Sequence, residues 1–95
     1  MAAYVIAQVE VTDWDKFKEY LKETPIVSAQ YGGKYIARGG EMVVLEGDDY
    51  SKRVVIIEFP SLAKAKEWYS SKEYREIKKL REGAAKGLLI AIEGC

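Results

Sequence analysis

RVVIIEF, residues 53–59, is apolar on both sides of the strand it predicts. Successive side chains of a strand point to opposite faces, so an antiparallel strand with one wet face alternates apolar and polar residues. Val54, Val55, Ile56 and Ile57 do not alternate, and neither does the run from Leu88 to Ile92 near the C-terminus. Both strands need cover on two faces, and that requirement shapes the reading of the rest of the chain.

Upstream, AYVIAQVEV (3–11) reads as a strand with Val5, Ala7, Val9 and Val11 on one face and Tyr4, Ile6, Gln8 and Glu10 on the other. Asp13 suits an N-cap, because its carboxylate can accept from free amides of the next turn. Trp14, Phe17, Tyr20, Leu21 and Thr24 then recur at helical spacing and draw one apolar stripe. Pro25 is expected to kink or restart this helix, with Thr24 able to cap the restart. Gly32 and Gly33 supply the left-handed conformation that ends it. The next strand is expected over Lys34–Glu46, interrupted at Gly39-Gly40, where glycine marks a bulge or a close backbone approach. GDDYSK (47–52) has the composition of a hairpin loop.

Downstream, Pro60-Ser61 stops the strand and caps a helix whose inward stripe includes Leu62, Ala65, Trp68 and Tyr69. Ser70 and Glu73 have capping-box spacing and predict a fresh helical segment, with Tyr74, Ile77, Leu80 and Ala84 on its buried side and Gly87 closing it. LLIAIE (88–93) is the last strand. The order βαββαβ predicts a ferredoxin-like α+β domain over residues 1–95, a four-stranded antiparallel sheet with its helices on one face. Those helices can cover only that face. At about 25 cal/mol per Å² of apolar area, leaving the other bare forfeits substantial burial. A second copy of the sheet is the simplest cover, because two-fold homodimers are the commonest assembly. The expected product is a dimeric α+β barrel.

Composition narrows the functional classes. Fifteen basic residues balance fifteen acidic ones, whereas nucleic-acid-binding domains carry a basic excess to neutralise phosphates. No apolar run reaches the roughly 18 residues of a membrane span, and no signal-peptide pattern is present; a soluble, cytoplasmic protein is expected. Cys95 is the single cysteine, so an internal disulfide is excluded. The chain has no histidine, which excludes Ser-His-Asp and Cys-His nucleophilic machinery. No metal or cofactor is expected. The predominance of lysine and glutamate among charged residues resembles proteins from hot environments.

YGGKYIARGG (31–40), VLEGD (44–48), RVVIIEFPS (53–61), WYSSKEY (68–74) and LREGAA (80–85) together resemble the DUF1330 family, a domain of unknown function. The resemblance covers essentially the whole chain. It implies membership of the dimeric α+β-barrel superfamily, whose members include cofactor-independent monooxygenases, isomerases acting on lactones and haem-handling proteins. It implies no particular reaction. The chain departs from the family pattern at Asp48 to Ser51, where the family carries tryptophan and proline, and at Lys72, where it often has proline.

Arg38 is the focus of the candidate site. Strict alternation places it on the same face as Ile36, and a covered arginine needs a partner. Glu58 on the adjacent strand, Glu10 and a bound anion are the options. A planar guanidinium can clamp a carboxylate or enolate through two parallel hydrogen bonds, so Arg38 and Glu58 are the catalytic candidates. Tyr31, Tyr35, Trp68, Tyr69 and Tyr74 are expected to surround a cavity between sheet and helices and, with Arg38, to contact a ligand. Two functional readings follow: a protein that binds or transforms a small acidic or aromatic molecule without a metal, and a non-catalytic ligand-sensing or structural dimeric module.

Overall fold

The computed structural model describes residues 1–95. The elements run β1 (Ala3–Val11), α1 (Trp14–Gln30), β2 (Lys34–Arg38), β3 (Arg53–Phe59), α2 (Leu62–Ser70), α3 (Lys72–Lys78), a 3₁₀ turn (Lys79–Arg81) and β4 (Ala85–Glu93). The strands form one antiparallel sheet in the order β2-β3-β1-β4, so the two chain-terminal strands are neighbours. This is the ferredoxin-like α+β arrangement expected from the pattern of strands and helices.

The core lies between the helices and one sheet face. Val5, Val55, Ile57 and Phe59 from the strands meet Phe17, Val27, Trp68, Tyr74 and Ile77 from the helices. Phe17, Tyr20, Thr24, Val27 and Ser28 recur every three or four residues and form the buried side of α1. On the opposite sheet face Leu88, Ile90 and Ile92 are 54%, 46% and 54% exposed, while Ile6 and Ile56 are half-buried. The surplus of apolar sheet read from residues 54–57 and 88–92 is thus a bare sheet face in the single chain.

Local signals set most helix starts. The Asp13 side chain accepts from the Lys16 amide at 3.2 Å, and Ser61 accepts from the Lys64 amide at 3.1 Å. Gly32, at φ +80°, turns the chain out of α1.

Five boundaries differ from expectation. Helix α1 does not restart at Pro25 but continues through it to Gln30. The proline removes the amide that would reach the Leu21 carbonyl one turn back, and the Arg38 guanidinium fills that place at 2.8 Å. The second strand ends at Arg38, and residues 39–52 are exposed without regular structure, because no strand of the same chain lies beside EMVVLE. The bulge falls at Ile36-Ala37, ahead of the glycine pair. Ser71, not Ser70, caps α3, accepting from the Tyr74 amide at 3.0 Å, while the Ser70 hydroxyl donates back to the Lys66 carbonyl. Gly83, at φ +76°, makes the turn assigned to Gly87. Gly87 instead sits inside β4 opposite Val9, and the strand begins at Ala85, opposite Val11.

Candidate functional site

The bulge at Ile36-Ala37 creates the site. Tyr35 pairs with Ile57 and Arg38 with Val55, both on the helix-covered face, although the two residues are three apart. In a regular strand an odd spacing puts side chains on opposite faces. The extra residue cancels that parity and turns Arg38 toward the helices. It therefore shares a face with Tyr35, not with Ile36 as strict alternation predicts. Glu58 and Glu10 fall on the other face, so neither serves as the expected carboxylate partner.

A cavity lies under this bulge, between α1 and the sheet. It offers ≈ 50 Å³ to the centres of water molecules, several times the space one water needs. Arg38, Arg53 and Arg81 converge on it, from β2, β3 and the 3₁₀ turn, together with Tyr20, Tyr35 and Thr24. No Asp or Glu lines it.

Each arginine rests against an aromatic ring. The Arg38 guanidinium carbon lies 4.8 Å from the Tyr35 ring centre, that of Arg53 5.9 Å from Trp14, and that of Arg81 5.5 Å from Tyr20. Gly39, at φ +66°, makes room for Arg53; a Cβ there would run into the Arg53 guanidinium. Arg53 and Arg81 keep a buried Nε–H with no acceptor. All four ion pairs of the molecule join a lysine to an acid three residues away on a helix, and no arginine takes part. The result is a cluster of cations whose counter-charge the chain itself does not supply.

Phenol groups complete the wall. Tyr20 and Tyr74 hydroxyls share a 2.7 Å hydrogen bond, and Arg81 Nη2 donates to the Tyr74 oxygen at 3.4 Å. Burial pushes the proton affinity of both phenols up. The Tyr35 phenol is raised to about 12, by burial that outweighs the opposing pull of Arg38. Burial and the charge of Arg38 both weaken the hold of Arg53 on its proton. An anion between these two guanidinium groups would relieve that repulsion.

Of the residues expected to surround a ligand, Tyr35, Arg38 and Trp68 line the cavity. Tyr74 is fully buried beside it and reaches it only through Tyr20 and Arg81. Tyr69 stands on a separate cleft outside α2, and the Tyr31 hydroxyl donates to Glu73 on the surface at 3.1 Å. Tyr20, Arg53, Arg81 and Thr24 were not legible as site residues. The one local hint is Gly39 in RGG, which the structure explains by the approach of Arg53.

Comparison with protein families matches residues 2–95 to the domain of unknown function DUF1330. The chain belongs to this family. Comparison with curated proteins found no match. Among solved structures, a protein of unknown function from Rhodopseudomonas palustris is 25% identical, with a TM-score of 0.78 over 99% of this chain and 82% of that one. SnoaB, a cofactor-independent oxygenase from Streptomyces nogalater, shares the fold at 9% identity, with a TM-score of 0.70 over 99% and 93% of the two chains. A dimeric ferredoxin-like protein of unknown function from Thermobifida fusca is 11% identical, with a TM-score of 0.65 over 99% and 92%. In this DUF1330 protein, no helix is long and apolar enough to cross a membrane.

Proposed function

We propose that this DUF1330 protein binds a small organic anion, a carboxylate, enolate or phenolate, in the cavity between α1 and the sheet, without a metal. One observation carries the reading: Arg38, Arg53 and Arg81 converge on a space that no acidic side chain lines. Clustered cations in a partly dry site repel one another, and a bound anion that accepts their hydrogen bonds removes that cost. The same donors would stabilise negative charge developing on a substrate. The raised phenols of Tyr20 and Tyr35 keep their protons at neutral pH and can donate to the same oxygens. Glu58, on the far side of the sheet, has no part in this chemistry.

Thermal melts with benzoate and its neutral isostere benzamide test the reading. Stabilisation by benzoate alone is expected, and it should fall in Arg53→Lys, which keeps the charge but loses the planar fork. Equal response to both compounds overturns the proposal.

A non-catalytic reading is favoured by one feature. Arg38 already donates to the Leu21 carbonyl, so part of its capacity serves α1. Incubation with a bound acid followed by mass analysis separates the readings: chemical change means an enzyme, unchanged retention a sensor.

We further propose that residues 1–95 fold as one unit, built on a single core of 13 buried residues, and that two copies pack through the bare sheet face. Support comes from exposed Leu88, Ile90 and Ile92 and from the dimeric state of the Thermobifida fusca relative. Val43 and Leu45, 78% and 92% exposed on the segment after β2, add apolar surface for such an assembly.

A further inference from the structure

A second cleft lies outside α2, between that helix, the 3₁₀ turn and β4. It offers ≈ 620 Å³, within the range of small-molecule sites. Trp68, Ala65 and Leu89 give it an apolar wall, while Lys66, Lys78 and Arg81 bring positive charge to it. No Asp or Glu lines it. The nearest acid along α2, Glu67, is engaged by Lys64 at 3.2 Å.

Two independent features mark this cleft as more than a solvated helix face. Trp68 is 1% exposed, yet its indole Nε1–H has no acceptor anywhere in the chain. Buried N–H groups are nearly always paired, so an acceptor is missing beside this ring, which stands between the outer cleft and the inner cavity. Lys78 is also held in place: its ammonium donates to the Tyr69 hydroxyl at 2.8 Å and sits 5.0 Å from that ring's centre. An ammonium has three donors, so this anchor leaves others for a ligand. That hydrogen bond and charge also lower the proton affinity of the Tyr69 phenol.

We infer that the outer cleft is a second binding subsite, suited to an aromatic acid whose ring packs on Trp68 and Leu89 and whose acidic group meets Lys66 and Lys78. The two spaces share a wall of Val5, Trp68, Arg81, Gly87 and Leu89, and the inference rests on the anion reading of the inner cavity through Arg81, the one charged residue of that wall. An acid long enough to pass Arg81 would occupy both.

Anilinonaphthalene sulfonate, a fluorescent aromatic anion too large for the inner cavity, is the probe, and neutral N-phenylnaphthylamine is its control. The Trp14→Phe variant leaves Trp68 as the only tryptophan. The sulfonate is expected to quench Trp68 emission saturably and to bind about fivefold more weakly to the Lys66→Ala/Lys78→Ala variant. Arg38→Lys and Arg53→Lys should leave its affinity unchanged. Quenching that is equal for the neutral compound, or indifferent to the two lysines, overturns the inference. Sensitivity to Arg38 and Arg53 instead would also overturn it, while leaving the inner-cavity reading standing. Loss of benzoate stabilisation alone would count only against the inner cavity.

Discussion

Arg38 and Leu21, 17 residues apart, are joined by a 2.8 Å hydrogen bond from the guanidinium to a helix carbonyl, and the cause is Pro25. A proline inside a helix deprives the carbonyl four residues earlier of its donor. Here that carbonyl is Leu21, and a strand side chain replaces the amide. The bulge in β2 makes the replacement feasible, because without it Arg38 would emerge on the opposite sheet face.

The dependence of Arg38 on Pro25 is measurable by a double-mutant cycle. Arg38→Ala should cost about 1 kcal/mol, below the range of about 1.5–3 kcal/mol for hydrogen bonds to charged groups, because this bond is solvent-exposed. In a Pro25→Ala background the backbone amide returns and the same substitution should cost less than half as much. Equal losses in the two backgrounds, read from urea unfolding, would show that Leu21 and Arg38 are coupled in geometry only.

Gly39 and Gly40 are adjacent yet should respond differently to substitution. Gly39→Ala places a side chain at φ +66° and against Arg53, so a loss of about 1–2 kcal/mol and weaker benzoate binding are expected. Nothing lies within 4 Å of a Cβ at Gly40, so Gly40→Ala should stay within about 0.5 kcal/mol of the wild type. Equivalent effects at the two positions would refute the role given to Gly39.

Alkaline pH should destabilise the fold through its buried phenols. Tyr20, Tyr35 and Tyr74 all bind their protons more tightly in the folded state than the ordinary value of 10.0. Groups raised in this way contribute stability that is complete below the unfolded value and is lost as pH rises through the folded one. For Tyr35 the window runs from 10.0 to about 12. Melting temperature should fall across it, and Tyr35→Phe should flatten the slope. A flat profile over that range would exclude the linkage.

Assembly through the bare sheet face has a simple disruption. Ile90 is 46% exposed at the centre of β4, and Ile90→Asp would place a charge in the proposed interface, where an unpaired ion is strongly disfavoured. Light scattering at micromolar concentration should give a dimer for the wild type and a monomer for the variant. A wild-type mass equal to one 10.7 kDa chain would remove the dimer from the account.

What the sequence alone determined was periodicity. Two-residue alternation in 3–11, its absence in 54–57, the spacing of Phe17, Tyr20 and Thr24, and Asp13 and Ser61 before their helices are all expressed within a few residues of chain. They were sufficient for the order of elements, the ferredoxin-like sheet and its surplus apolar face. Tertiary structure decided what depends on two distant segments at once. Whether the bulge fell at Ile36-Ala37 or at the glycine pair is a matter of register against β3, and it changed the face and the partner of Arg38. Arg53 and Arg81 resemble any other exposed cation when read along the chain, and only packing brings them to one cavity. Local periodicity reports which way a residue points relative to its neighbours in sequence; a binding site is defined by neighbours in space.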